Sequence, residues 1–148
     1  MHEAWLADIY PMAGKYRTVT MSKAGFLFAA PNLIPTLMDK FEQNYLKKFT
    51  PCNFEELDLL VEALAIVHVE FILIHPFREG NGRLGRLFAS LMANQANRPP
   101  LNFEAIDQNI NPTGFKRYVE AIHEGHNCNY KPMEMLFTQI IQDSEKLA

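Results

Sequence analysis

Apolar positions recur at helical spacing along most of the chain and at strand spacing over only one short stretch. Between Pro31 and Phe49, Leu33, Ile34, Leu37, Met38, Phe41 and Tyr45 fall at i, i+3 and i+4, with Lys40, Lys47 and Lys48 turned outward. That spacing predicts an amphipathic helix. The segment from about Phe54 to Ile74 reads differently. Leu57, Leu60, Val61, Leu64, Val67, Phe71 and Ile74 line one side, while Ile66, Val69, Ile72 and Leu73 fill most of the rest. A helix apolar around most of its circumference belongs in the middle of a domain. Asn53, followed three residues later by Glu56, predicts its cap.

A further helix from about Gly82 to Asn94 is predicted to bury Leu84, Leu87, Phe88, Leu91 and Met92. Asn111-Pro112 opens another, running to about Glu124 with proline in its first turn, and Pro132 opens the last, with Met133, Leu136, Phe137, Ile140 and Ile141 on one stripe. LNFEAID, after Arg98-Pro99-Pro100, reads as a short helix or turn. At the start, MHEAWLADIYPMAG predicts a short helix presenting Trp5, Ile9 and Tyr10 and stopped by Pro11 and Gly14.

Only KYRTVTMSKAGFLFAA breaks this pattern. Its β-branched and aromatic residues surround a polar turn at Ser22 to Gly25, predicting a β-hairpin over about residues 14–30. A lone hairpin is marginal in water and must lean on the helices. The architecture expected is mainly α, with one hairpin.

Length and composition narrow the function. At 148 residues the chain is read as one domain, 1–148, large enough for its own core. A net charge of −3 argues against a nucleic-acid partner held by a broad basic surface. Cys52 and Cys128 form no close pair and no metal-ligand spacing, and no signal peptide is visible, so a reducing, cytoplasmic setting is expected; delivery into another cell as an effector remains open. Glu62, His68 and Glu70 interrupt the apolar run before Ile74, which favours a buried helix over a membrane span.

Candidate chemistry is concentrated in HPFREGNGRLGR, residues 75–86, which holds three of the chain's six arginines. Arg83 and Arg86 lie three apart at the start of a helix, where they repel one another and oppose the helix dipole. An anion would relieve both costs. Glycines before a helix leave free N–H groups suited to phosphate. Glu79 can then hold a divalent cation against that phosphate, because magnesium takes one or two carboxylates and otherwise water and phosphate oxygens. His75 is the nearby group able to exchange a proton near neutrality. Helix C-terminal charge favours its protonated form, whereas Arg78, Arg83 and a metal oppose it. His68 reads as a core histidine, and His123 and His126 as helix-end residues.

This stretch resembles the signature of the Fic family of the Fido superfamily, HxFx(D/E)GNGRxxR, matched at His75, Phe77, Glu79, Gly80, Asn81, Gly82, Arg83 and Arg86. The resemblance implies a Fic-type helical bundle whose hairpin is a flap over the active site. There Ser22, Lys23, Ala24, Gly25 and Phe26 would align a target by strand-like pairing. It implies transfer of AMP from ATP to a Ser, Thr or Tyr hydroxyl of a protein substrate, with release of pyrophosphate. His75 would be the general base and Glu79 the ligand of Mg2+. Gly80, Asn81 and Gly82 would form the anion hole, and Arg83 and Arg86 would neutralise the outer phosphates.

Many members carry an inhibitory helix, (S/T)xxxE(G/N), and this chain has no match: Thr138 is followed by Gln142 where glutamate belongs. Activity is therefore expected to be unrestrained, or restrained by a separate small antitoxin-like partner. The alternatives are a Doc-like kinase, which departs from GNGR in the loop, a transferase of another nucleotide or of phosphocholine, an enzyme that removes AMP, and a catalytically silent nucleotide-binding module.

Overall fold

A computed structural model describes all residues, 1–148, and shows the predicted helical bundle with one small hairpin. At its centre lies α4, Leu57–Ile74, whose buried residues point in every direction around the helix. Packed against it are α5 (Asn81–Gln95), α6 (Pro112–Gly125), α7 (Lys131–Leu147) and α2 (Ile34–Phe41). One continuous core of buried side chains runs from Ile34 through α4 to Ile141. No helix is long and apolar enough to cross a membrane.

Close approach to α4 is made through small residues. A Cβ on Gly125 of α6 would stand 2.2 Å from Val69 Cγ1, and one on Gly85 of α5 would stand 3.0 Å from His68 Cε1. This explains where the predicted face of α5 is wrong. The helix buries Leu84, Gly85, Ala89, Met92 and Ala93, while Leu87 and Leu91 are 38% and 45% exposed. The glycine and alanines let the backbones approach, and the helix is rotated so that two of the leucines face outward.

Two other expectations change. Helix α4 starts at Leu57, with Glu56 in extended conformation as its N-cap and no side-chain cap. Asn53 is therefore not the cap. Phe54 packs on Phe49 with ring centroids 6.4 Å apart, and the Glu55 carbonyl accepts from Arg98 Nη2 at 2.9 Å, which together hold this stretch out of the helix. Helix α1 covers only His2–Leu6 and ends before Pro11 and Gly14, so that Ile9 and Tyr10 lie outside it; it buries His2 and Leu6 and leaves Trp5 42% exposed. The segment after the hairpin is helical as predicted, entering through a 3-10 turn at Pro31–Leu33 and passing a π turn at Glu42–Leu46 before α3, Lys47–Phe49.

The hairpin is shorter than its sequence span suggests. Strands β1 (Ser22–Lys23) and β2 (Phe26–Leu27) pair antiparallel, Ser22 with Leu27 and Lys23 with Phe26. Ala24 and Gly25 form the turn, both at positive φ (52° and 76°), as a two-residue hairpin turn requires.

Candidate active site

Residues 75–80 connect the C-terminus of α4 to the N-terminus of α5, so two helix ends of opposite polarity face one loop. His75 ends α4 in the left-handed conformation (φ 51°, ψ 58°), which turns its side chain out of the helix line. Its ring stacks on Phe28, just after the hairpin, at 3.8 Å and 8°. Nδ1 lies 3.3 Å from the Ile72 carbonyl oxygen. A carbonyl only accepts, so Nδ1 carries the proton and Nε2 holds the lone pair.

Burial lowers the His75 pKa to about 4; Arg17 and Lys23 push the same way, against the Ile72 hydrogen bond and Glu79. The balance that the sequence left open is thus decided mainly by desolvation, and among the cations by Arg17 and Lys23. The ring is neutral at pH 7.

Arg17 had no local signal. It is 2% exposed, and its guanidinium donates to four carbonyls: His75 from Nε at 2.6 Å, Val19 from Nη1 at 2.8 Å, and Ala29 and Ile74 from Nη2 at 2.6 and 3.2 Å. It therefore satisfies the end of α4 and ties both limbs of the flap to it.

Asn81 is also buried, with Oδ1 accepting from Phe77 N at 2.9 Å and Nδ2 donating to Phe77 O at 2.7 Å. Its side chain pins the loop, so any role toward an anion falls to its backbone N–H. As the first residues of α5, Asn81, Gly82 and Arg83 have N–H groups without intrahelical acceptors. Gly80, at φ 82°, turns the chain into the helix. Phe77 is buried and stacks on the His2 ring at 3.8 Å.

The outer wall of the loop is α1, which the sequence did not reveal. His2 Nε2 lies 3.0 Å from the Glu79 carbonyl, and His2 Nδ1 accepts from Gly14 N at 2.8 Å. Leu6 and Trp5 close over Gly80, where a Cβ would meet them at 3.1 and 3.4 Å.

A cavity of about 420 Å³ opens in front of this loop. His75, Arg78, Glu79, Gly80, Asn81, Gly82, Arg83 and Arg86 line one end, and Lys23, Ala24 and Phe26 of the flap reach it, whereas Ser22 and Gly25 do not. The opposite side is largely apolar, with Ile106, Phe115, Tyr118, Val119 and Ile122 beside a rim at Asp107 to Asn109. Phe26 stacks on His123 at 5.2 Å and meets His126 edge-on at 5.6 Å, so these histidines hold the flap tip against α6. His68 is a buried core residue, its Nε2 2.9 Å from Tyr118 Oη.

Glu79 is exposed; its Oε2 accepts from Gly80 N at 3.0 Å and lies 3.6 Å from Arg83 Nη2. No group of three or more His, Cys, Asp or Glu residues converges as a metal cage. A lone carboxylate beside free N–H groups and arginines fits Mg2+ that takes its other ligands from phosphate and water. Cations and amides at one end with apolar walls at the other suit an elongated ligand with an anionic head and a flat, apolar body.

The Fic/DOC family model matches residues 1–93, from α1 through most of α5. Among curated relatives, Protein adenylyltransferase Fic of Nematostella vectensis is 26% identical over 133 residues, covering 89% of this chain and 28% of the relative. Probable protein adenylyltransferase y4lH of Sinorhizobium fredii is 23% identical, covering 90% and 65%. The chain thus spans under a third of the first relative and just under two thirds of the second. Among solved structures, the N-terminal FIC domain of Bep8 from a Bartonella species superposes with a TM-score of 0.75 at 24% identity, covering 95% of this chain and 69% of that one. BepC from Bartonella tribocorum, solved with bound AMPPNP, gives 0.73 at 23% identity, covering 94% and 70%. The matched residues contain the α1 wall, the flap and the complete loop, and on that ground this chain belongs to the Fic/DOC family.

Proposed function

We propose that this chain transfers AMP from ATP to a Ser, Thr or Tyr hydroxyl of a protein. The observation that carries this reading is the neutral His75, whose Nδ1 is occupied by Ile72 and whose Nε2 is free at the wall of a cavity lined by Glu79, Arg83 and Arg86. The relatives' names support AMP as the group transferred.

In this reaction the incoming hydroxyl gives its proton to His75 Nε2 as its oxygen attacks the α-phosphorus. The bond from that phosphorus to the α–β bridging oxygen breaks, and pyrophosphate leaves with the electron pair. Arg83, Arg86 and the N–H groups at the start of α5 stabilise the charge on the phosphates. Glu79 would hold Mg2+, which neutralises phosphate charge when bound. The apolar wall at Phe115, Tyr118 and Ile122 would receive the base, and the edge of the short flap would align the target backbone.

The test labels lysate proteins with ATP carrying label on the α- or the γ-phosphate, using the native chain and His75→Ala. Label from the α-position alone, lost in His75→Ala, is expected. Label arriving from the γ-position would make the protein a kinase, and full activity in His75→Ala would end the mechanism. Nucleotide binding that tolerates His75→Ala, with no labelled protein from either nucleotide, favours the binding-only role.

A further inference from the structure

Arg83 is 49% exposed along its side chain, yet it is not loose. The Trp5 ring lies 4.7 Å from its guanidinium carbon, and Glu79 contacts it from another side. Trp5 is itself held, because α1 is locked to the loop by His2 on Glu79 and Phe77 and by the buried Leu6. We infer that Trp5 is a positioning residue for phosphate recognition: its ring face holds the Arg83 guanidinium so that the N–H edge points into the cavity.

This inference rests on the nucleotide-binding reading of the site. An arginine of this exposure has several long rotamers, and ordering it on phosphate costs side-chain entropy. Stacking on an aromatic face satisfies the flat side of the guanidinium and leaves its planar fork of donors free for phosphate. Glu79 cannot hold Arg83 in the same way, because its oxygens compete with phosphate for the same N–H groups. A carboxylate engaged by Mg2+ would hold Arg83 less strongly, whereas the Trp5 face would be unaffected. The sequence suggested that Trp5 is simply presented by its helix; the fold places it over the loop.

The test uses the full chain, with calorimetric binding of MgATP and of AMP, which lacks the outer phosphates. Trp5→Leu is expected to weaken MgATP binding by about 3- to 10-fold, in line with the strength of a partly exposed cation–π contact, and to leave AMP unchanged. Trp5→Phe should recover most of the loss. In an Arg83→Gln background, Trp5→Leu should have no further effect. Trp5 is the chain's only tryptophan, so its emission in the native protein should also shift on adding MgATP and not AMP.

Equal MgATP affinity in Trp5→Leu and native protein would overturn the inference. So would an equal loss for AMP, or an undiminished loss in the Arg83→Gln background, either of which would mark Trp5 as a structural residue only. Failure of the native chain to bind MgATP at all would instead remove the functional reading on which the inference rests.

Discussion

Replacing Arg17 should damage stability and the base at the same time, because one guanidinium serves both. Its four acceptors include the carbonyls of Ile74, the last residue of α4, and of His75, its C-cap, which have no helical partners of their own. Hydrogen bonds from a charged donor contribute about 1.5–3 kcal/mol each. Three of the four are only partly buried, so water can recover much of the loss in a variant. A net cost of about 2–4 kcal/mol is therefore expected for Arg17→Met, which leaves carbonyls without their donor but no buried charge unpaired. Arg17→Lys should recover little, since one ammonium on a longer stem cannot reproduce a planar fork across four oxygens. Urea unfolding with an unchanged m-value measures this directly.

The second readout is the His75 titration by NMR. Arg17 pushes the His75 pKa down, so its removal should raise it toward the ordinary value, with burial still holding it low. A loss below about 1 kcal/mol in both variants, or an unmoved His75 titration, would refute this account of Arg17.

Two further outcomes are expected. His68 is buried and its pKa is lowered to about 4, chiefly by burial, and His75 shifts the same way. Both folded-state values lie below the unfolded value of 6.5, so the unfolded chain takes up protons first as pH falls. The stability involved is complete above about pH 6.5 and is lost toward pH 4. For His68 alone the loss between pH 7 and 4.5 is about 2 kcal/mol, and His68→Gln should flatten the pH dependence of urea unfolding by that amount. An undiminished pH dependence in that variant would contradict the assignment. Gly125→Ala would drive a methyl to 2.2 Å from Val69 Cγ1 at the α6–α4 crossing and should cost at least about 2 kcal/mol, read as a lower thermal midpoint. A midpoint equal to the native one would show that the crossing has slack.

Residues close in sequence made their arrangement legible without a structure. The loop from His75 to Arg86 is contiguous, so its charges, glycines and helix start had to lie together, and the fold bears out the bundle and the hairpin. The all-round apolarity of 57–74 was enough to place that helix at the centre. Periodicity was a poorer guide to α5, since it marks apolar side chains but not how closely a backbone can approach; Gly85 faces α4, and Ala89 and Ala93 are buried while Leu87 and Leu91 are exposed. What only the tertiary structure decided depends on long separations along the chain. Arg17 caps a helix 57 and 58 residues away, His2 braces a carbonyl 77 residues away, and Trp5 covers Arg83. No local pattern encodes such contacts, because each partner taken alone is an ordinary polar or aromatic residue. The protonation of His75 belongs with them: it is governed by desolvation, which exists only once Phe28, the flap and the end of α4 have closed around the ring.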